Sequence, residues 1–128
     1  MEPQFLSLAQ ALRVHRSSID AFGGDPGVRD LGLLESAVAQ PRAAFGGQYL
    51  HDGIPAMAAA YLFHIVSNHP FIDGNKRTGA LASYVFLQIN GLDFDADENT
   101  FTDVTLAVAR GEMSKEELID FFRQHVCE

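Results

Sequence analysis

Apolar residues along this chain recur mostly at three- and four-residue steps, the period of helices that bury one face. Leu8, Ala11, Leu12, His15, Ile19 and Phe22 predict a first helix over Ser7 to Phe22, with Ser7 as its N-cap. Gly23-Gly24-Asp25-Pro26-Gly27 breaks it, Gly23 being placed for a left-handed cap. Asp30 is placed to cap a short helix, Leu31 to Ala39, whose buried face is Leu33, Leu34, Ala37 and Val38; Pro41 stops it. From Pro41 to Gly53 the pattern is irregular. Glycines on either side of Gln48-Tyr49-Leu50-His51 suit a short hairpin or flap, or equally a plain connector.

A third helix is predicted from Pro55 to about Ser67, buried through Ala58, Tyr61, Leu62, Ile65 and Val66. A fourth starts near Gly74 or Asn75 and runs to about Asn90. Its residues Leu81, Ala82, Tyr84, Val85, Phe86, Leu87 and Ile89 are apolar nearly all round, which marks a central helix. Asp97 or Asn99 caps a fifth through Ala109. Ser114-Lys115-Glu116-Glu117 is a capping box that opens the last, Lys115 to about Val126, with Leu118, Ile119 and Phe122 inward. The expectation is an all-α, compact single domain over residues 1–128: about six helices around the fourth, with a short flap or β-hairpin.

Composition narrows what this bundle can do. At 128 residues and 47% apolar, the chain can bury a core and is not disordered. One cysteine, Cys127, excludes an intrachain disulfide or a Cys-rich zinc site and suits a reducing, cytoplasmic setting. The uncharged run Ile54 to Ile72 is interrupted by Pro55, His64, Ser67, Asn68, His69 and Pro70, so a buried helix is expected and no membrane span. A net charge of −8 argues against a nucleic-acid partner. Against that acidity, the adjacent Lys76 and Arg77 at a helix start are out of character, and a small anion is the natural reason.

The candidate chemistry lies in His69-Pro70-Phe71-Ile72-Asp73-Gly74-Asn75-Lys76-Arg77. A helix start offers unpaired N–H groups and the positive end of its dipole, so an anion can sit on the amides of Gly74, Asn75 and Lys76. The Asn75 amide, the Lys76 point charge and the planar fork of Arg77 add donors. Asp73 is a hard oxygen ligand of the kind that holds Mg²⁺ beside substrate phosphates, or alternatively the N-cap of the fourth helix. His69 is of the one side-chain type that titrates near neutral pH, and it fits a general base; alone, an exposed loop histidine is the plainer reading. Phe71 anchors the loop. His64, on an apolar helix, reads as a hydrogen-bonded residue at the core edge.

The nine-residue stretch resembles the signature of the Fic/Doc superfamily, and most closely the death-on-curing (Doc) toxins of bacterial type II toxin–antitoxin modules. The superfamily pattern for nucleotidyl transfer is His-x-Phe-x-Asp/Glu-Gly-Asn-Gly-Arg-x-x-Arg. Lys76 replaces its second Gly and Ala80 its last Arg, whereas Gly74 keeps the general residue where some Doc proteins carry Ala. Lys at that position marks the Doc branch, which implies a Fic-like fold and a protein kinase that transfers the γ-phosphate of ATP rather than AMP. Carried over by position, His69 is the base for a Ser or Thr hydroxyl, Asp73 the Mg²⁺ ligand, and Gly74, Asn75, Lys76 and Arg77 the phosphate seat. Tyr49 and His51 become candidates for a flap that docks the target. The implied target is a translation factor, elongation factor Tu, whose modification arrests translation.

Many Fic proteins restrain themselves with Ser/Thr-x-x-x-Glu on a helix, and no Glu here has Ser or Thr four residues before it. The resemblance therefore implies an antitoxin that inhibits in trans, on a monomer or small homo-oligomer. The competing readings are a Fic-type adenylyltransferase, a non-catalytic helical interaction module and, against the acidic charge, an RNase.

Overall fold

The six helices form where the periodicity places them, in a computed structural model that describes residues 2–128. They are α1 (Leu8–Phe22), α2 (Leu31–Ala39), α3 (Ile54–Asn68), α4 (Asn75–Ile89), α5 (Glu98–Ala109) and α6 (Lys115–His125). Four of them start on the side-chain caps that the sequence offers. Ser7, Asp30, Asp97 and Ser114 accept the backbone N–H of Gln10, Leu33, Thr100 and Glu117 at 3.0–3.1 Å. Gln10 and Glu117 return the bond to their caps, which closes two capping boxes. Asp97, not Asn99, is thus the α5 cap.

α3 is the most enclosed element. Every residue from Ala56 to Leu62 is buried, and the helix packs against α2, α4, α5 and α6. α4 crosses it closely at Gly79, where a Cβ would come within 2.7 Å of Val66 Cγ2. α4 also packs on α1 and α5, but it is not enclosed all round: Tyr84 and Ile89 are exposed, and Ala80, Leu81 and Tyr84 line a groove. Its surplus of apolar residues serves a cavity wall as well as the core. One hydrophobic cluster runs from Leu6 to Phe122 and draws on every helix.

Short pairings escape a periodicity reading because two residues carry no period. β1 (Ala44–Phe45) and β2 (Gln48–Tyr49) form a hairpin whose turn is Gly46-Gly47, both at positive φ. The hairpin therefore starts at Ala44 and takes only Gln48 and Tyr49 from the stretch Gln48 to His51, and a 3₁₀ turn, Gln40–Arg42, leads into it. β3 (Asp93–Phe94) pairs antiparallel with β4 (Val126–Cys127), so α6 yields to a strand one residue before its expected end. Phe94 is fixed there against Phe101, Phe121 and Phe122, with ring centroids 4.9–5.9 Å away. Among the described residues, no helix is long and apolar enough to cross a membrane.

Candidate active site

The loop between α3 and α4 is held from three sides. α3 ends at His69, whose backbone is left-handed (φ 52°, ψ 52°); no other described non-glycine residue has a positive φ. His, like Asn and Asp, is among the side chains that enter this region most readily. Arg29 secures the bend: Nε donates to the His69 carbonyl at 2.6 Å and Nη2 to that of Asn68 at 3.0 Å. The backbone N–H groups of Arg29 and Asp30 both donate to the Pro70 carbonyl, at 2.7 and 3.0 Å. Ile72 N–H donates to the Gly27 carbonyl at 3.1 Å, so residues 27–30 form a ribbon against residues 70–72.

Phe71 is fully buried, as its anchoring role requires. The Asn75 side chain closes on it with two bonds of 2.9 Å, Oδ1 accepting from Phe71 N–H and Nδ2 donating to the Phe71 carbonyl. The Phe71 carbonyl takes one of the two Nδ2 protons, so the Asn75 side chain keeps at most one donor for an anion beside its backbone N–H. Beneath Phe71 lies His15 of α1, only 2% exposed, its ring stacked flat on the phenyl at a centroid distance of 3.7 Å. His15 Nε2 donates to the Asp73 carbonyl at 2.8 Å.

Asp73 is exposed and is not the cap of α4. That place falls to Gly74, left-handed at φ 81°, which has no side chain to offer. Oδ2 of Asp73 accepts the Asp25 N–H at 2.8 Å, tying it to the loop after α1; Oδ1 has no donor among the described residues. No group of three His, Cys, Asp or Glu side chains comes together among the described residues, so a metal here would rest on Asp73 and on oxygens brought by a substrate.

The first turn of α4 is left open. Among the described residues, no acceptor takes the backbone N–H of Gly74, Asn75, Lys76 or Arg77. The side chains of Lys76 and Arg77 are exposed, and the Arg77 guanidinium lies 4.5 Å above the ring of Phe22. This turn forms one end of a groove of about 1090 Å³ between α1, α4 and α5. Ala80 lines the groove one turn on, and Phe22, Tyr84 and Phe101 give it aromatic walls. Ser18, on the α1 wall, has a buried hydroxyl with no partner among the described residues.

The sequence that builds this motif loop and bare helix start matches the Fic/DOC family over residues 5–87. The chain belongs to the Fic/DOC family. Within it, the chain is 31% identical over 120 residues to a protein of Escherichia phage P1 named Protein kinase doc, covering 93% of each. It is 47% identical over 81 residues to a protein of Mycolicibacterium smegmatis named Toxin Doc. That second alignment spans 60% of this chain and 62% of the relative, under two thirds of its length.

Of the two residues expected on a docking flap, Tyr49 lies on the β1–β2 hairpin and His51 two residues beyond it. Tyr49 sits edge-on to Phe5 and its hydroxyl donates to Glu2 at 3.2 Å. Phe5 in turn stacks on Phe86, roughly 16 Å along α4 from Asn75 at the helical rise. His51 is 7% exposed, and its Nε2 accepts from Lys115 Nζ at 3.2 Å, so its ring is not presented to a target. Lys115 also donates to His64 Nε2 at 3.1 Å. Burial first, and then the Lys115 ammonium, pushes both imidazoles down, His64 to about 4. Sequence reasoning placed His64 at the core edge but missed its link to His51. It also passed over His15 and Arg29. His15 left a signal, a histidine on an apolar helix face, whereas Arg29 left none.

Proposed function

We propose that this chain is a Doc-like toxin kinase that moves the γ-phosphate of ATP onto a Ser or Thr hydroxyl of a translation factor, elongation factor Tu by resemblance. One observation carries the proposal: the first turn of α4 has four N–H groups without acceptors among the described residues, no side-chain cap, and two cations where acids are usual. Such a turn is a seat for phosphate oxygens. The groove beside it has room for a nucleoside against Phe22, Tyr84 and Phe101. The name of the phage P1 relative supports a kinase, and Ala80 leaves open the space that the adenylyltransferase pattern fills with Arg.

In this reading, the amides of Gly74, Asn75 and Lys76 with the Lys76 ammonium and the Arg77 guanidinium hold the phosphates in line. His69 takes the proton of the target hydroxyl as its oxygen forms a bond to Pγ. The bond from Pγ to the bridging oxygen breaks, and ADP leaves with the electron pair. Asp73 would hold Mg²⁺ through its free Oδ1, and that ion, when bound, neutralises charge on the phosphates. Little else is asked of the protein, because phosphoryl transfer depends on positioning and charge.

Residues 1–128 act as one unit in the cytoplasm, as a monomer or small homo-oligomer, and the antitoxin restrains the site in trans through a helix laid against it. The test is a translation extract supplied with ATP labelled at the α or the γ phosphate. Label from γ alone is expected on one protein band, lost about 100-fold or more with His69→Ala. Label from α shows an adenylyltransferase and overturns the proposal. Growth arrest that survives His69→Ala shows a non-catalytic module.

A further inference from the structure

The structure assigns to His15 the task of aiming the amide that opens the phosphate seat. This inference rests on the phosphoryl-transfer reading above and concerns a positioning residue, not a catalytic one. A carbonyl can only accept, so the 2.8 Å contact requires a proton on His15 Nε2, donated to the oxygen of Asp73. The peptide joining Asp73 to Gly74 is trans, as are all those described, so its carbonyl and its N–H point in opposite directions. Holding the carbonyl against α1 therefore turns the Gly74 N–H away from His15. That N–H has no acceptor among the described residues, which leaves it for a ligand.

The need for such a hold follows from Gly74 itself. At φ 81° it has no side chain to resist rotation, and a flip of the peptide would cost little. The flip would put the Asp73 oxygen in the seat, where it repels phosphate instead of binding it. Nothing in α4 prevents this, because the helix has no side-chain cap. Asn75 fixes Phe71 and Arg29 fixes His69, but neither touches the Asp73 carbonyl. His15 does, and its ring cannot swing away because Phe71 covers it at an interplanar angle of 5°. Among the described residues, the bond to Asp73 is the one hydrogen bond that the buried His15 side chain makes.

Two variants separate the donor from the ring. His15→Phe keeps an aromatic face on Phe71 and loses the donor; His15→Gln loses the face but places an N–H at nearly the same reach. Each is titrated by calorimetry with ATP and Mg²⁺, and with inorganic triphosphate alone, and each is melted thermally. The expectation for His15→Phe is a melting temperature close to wild type and about tenfold or greater loss of triphosphate affinity, the value of one hydrogen bond to a charged group. His15→Gln restores most of that affinity even where it melts lower. Should the phenyl ring overpack and unfold the protein, His15→Leu carries the same expectation. Wild-type affinity in a folded donor-less variant, or equal loss in a folded His15→Gln, overturns the assignment. A wild type that binds neither ATP nor triphosphate overturns instead the phosphate seat on which it rests.

Discussion

The first turns of α4 and α6 face the same physical problem and meet it in opposite ways. Each begins with N–H groups that the helix cannot satisfy. α6 satisfies them from within: Ser114 and Glu117 exchange bonds, Glu116 and Glu117 supply negative charge, and the Ser114 N–H holds the Glu117 carboxyl below its usual range. Its one first-turn cation, Lys115, is taken up by two neutral histidines. α4 has no side-chain cap and no first-turn acid, and its two cations meet no carboxylate among the described residues. A complete first turn contributes to stability. An incomplete one, in a protein that can complete such turns, marks where a ligand belongs.

Exchanging the properties of the two turns tests that distinction. The largest effect is expected from giving α4 the acidic start of α6. Lys76→Glu with Arg77→Glu should lower ATP affinity about 100-fold or more by calorimetry. The melting temperature should hold or rise, since acids suit the dipole there. A large fall in melting temperature would mean that the two cations are structural.

The next effect concerns pH. His64 is held at about 4 in the fold against an ordinary value of 6.5, so between these limits the unfolded chain binds a proton that the fold refuses. The stabilisation is complete above pH 6.5 and drains away as the pH falls toward 4, by roughly 1–2 kcal/mol once partial exposure is allowed for. Urea unfolding of His64→Gln across this window should show a flatter profile than wild type. An equal slope would remove the histidine pair from the account of α6.

The smallest effect is Ser114→Ala, expected to cost about 1 kcal/mol of stability with ATP affinity unchanged. If that substitution weakened nucleotide binding, the division between a structural and a functional helix start would fail.

The legible parts of the molecule were those governed by local rules. Ser7, Asp30, Asp97 and Ser114 cap helices because the cap bond is made three residues away, and apolar spacing places all six helices. The motif residues could be singled out because a helix start with Lys and Arg runs against the dipole. What escaped depends on contacts distant in sequence. His15 meets Asp73 across 58 residues, and Arg29 meets His69 across 40. The paired hydrogen bonds of Asn75 to the buried backbone of Phe71, which take one of its side-chain protons, were likewise not legible from spacing. His51 looked like a flap residue until Lys115, 64 residues on, gave it a partner.

The most direct measurement is a map of backbone amide shifts by ¹⁵N–¹H correlation spectroscopy while ATP and Mg²⁺ are added. The largest shifts are predicted at Gly74, Asn75, Lys76 and Arg77, with smaller ones lining the groove at Ala80 and Tyr84 and none in the first turn of α6. Saturable binding that leaves those four amides unmoved would contradict the claim that the open start of α4 is the phosphate seat.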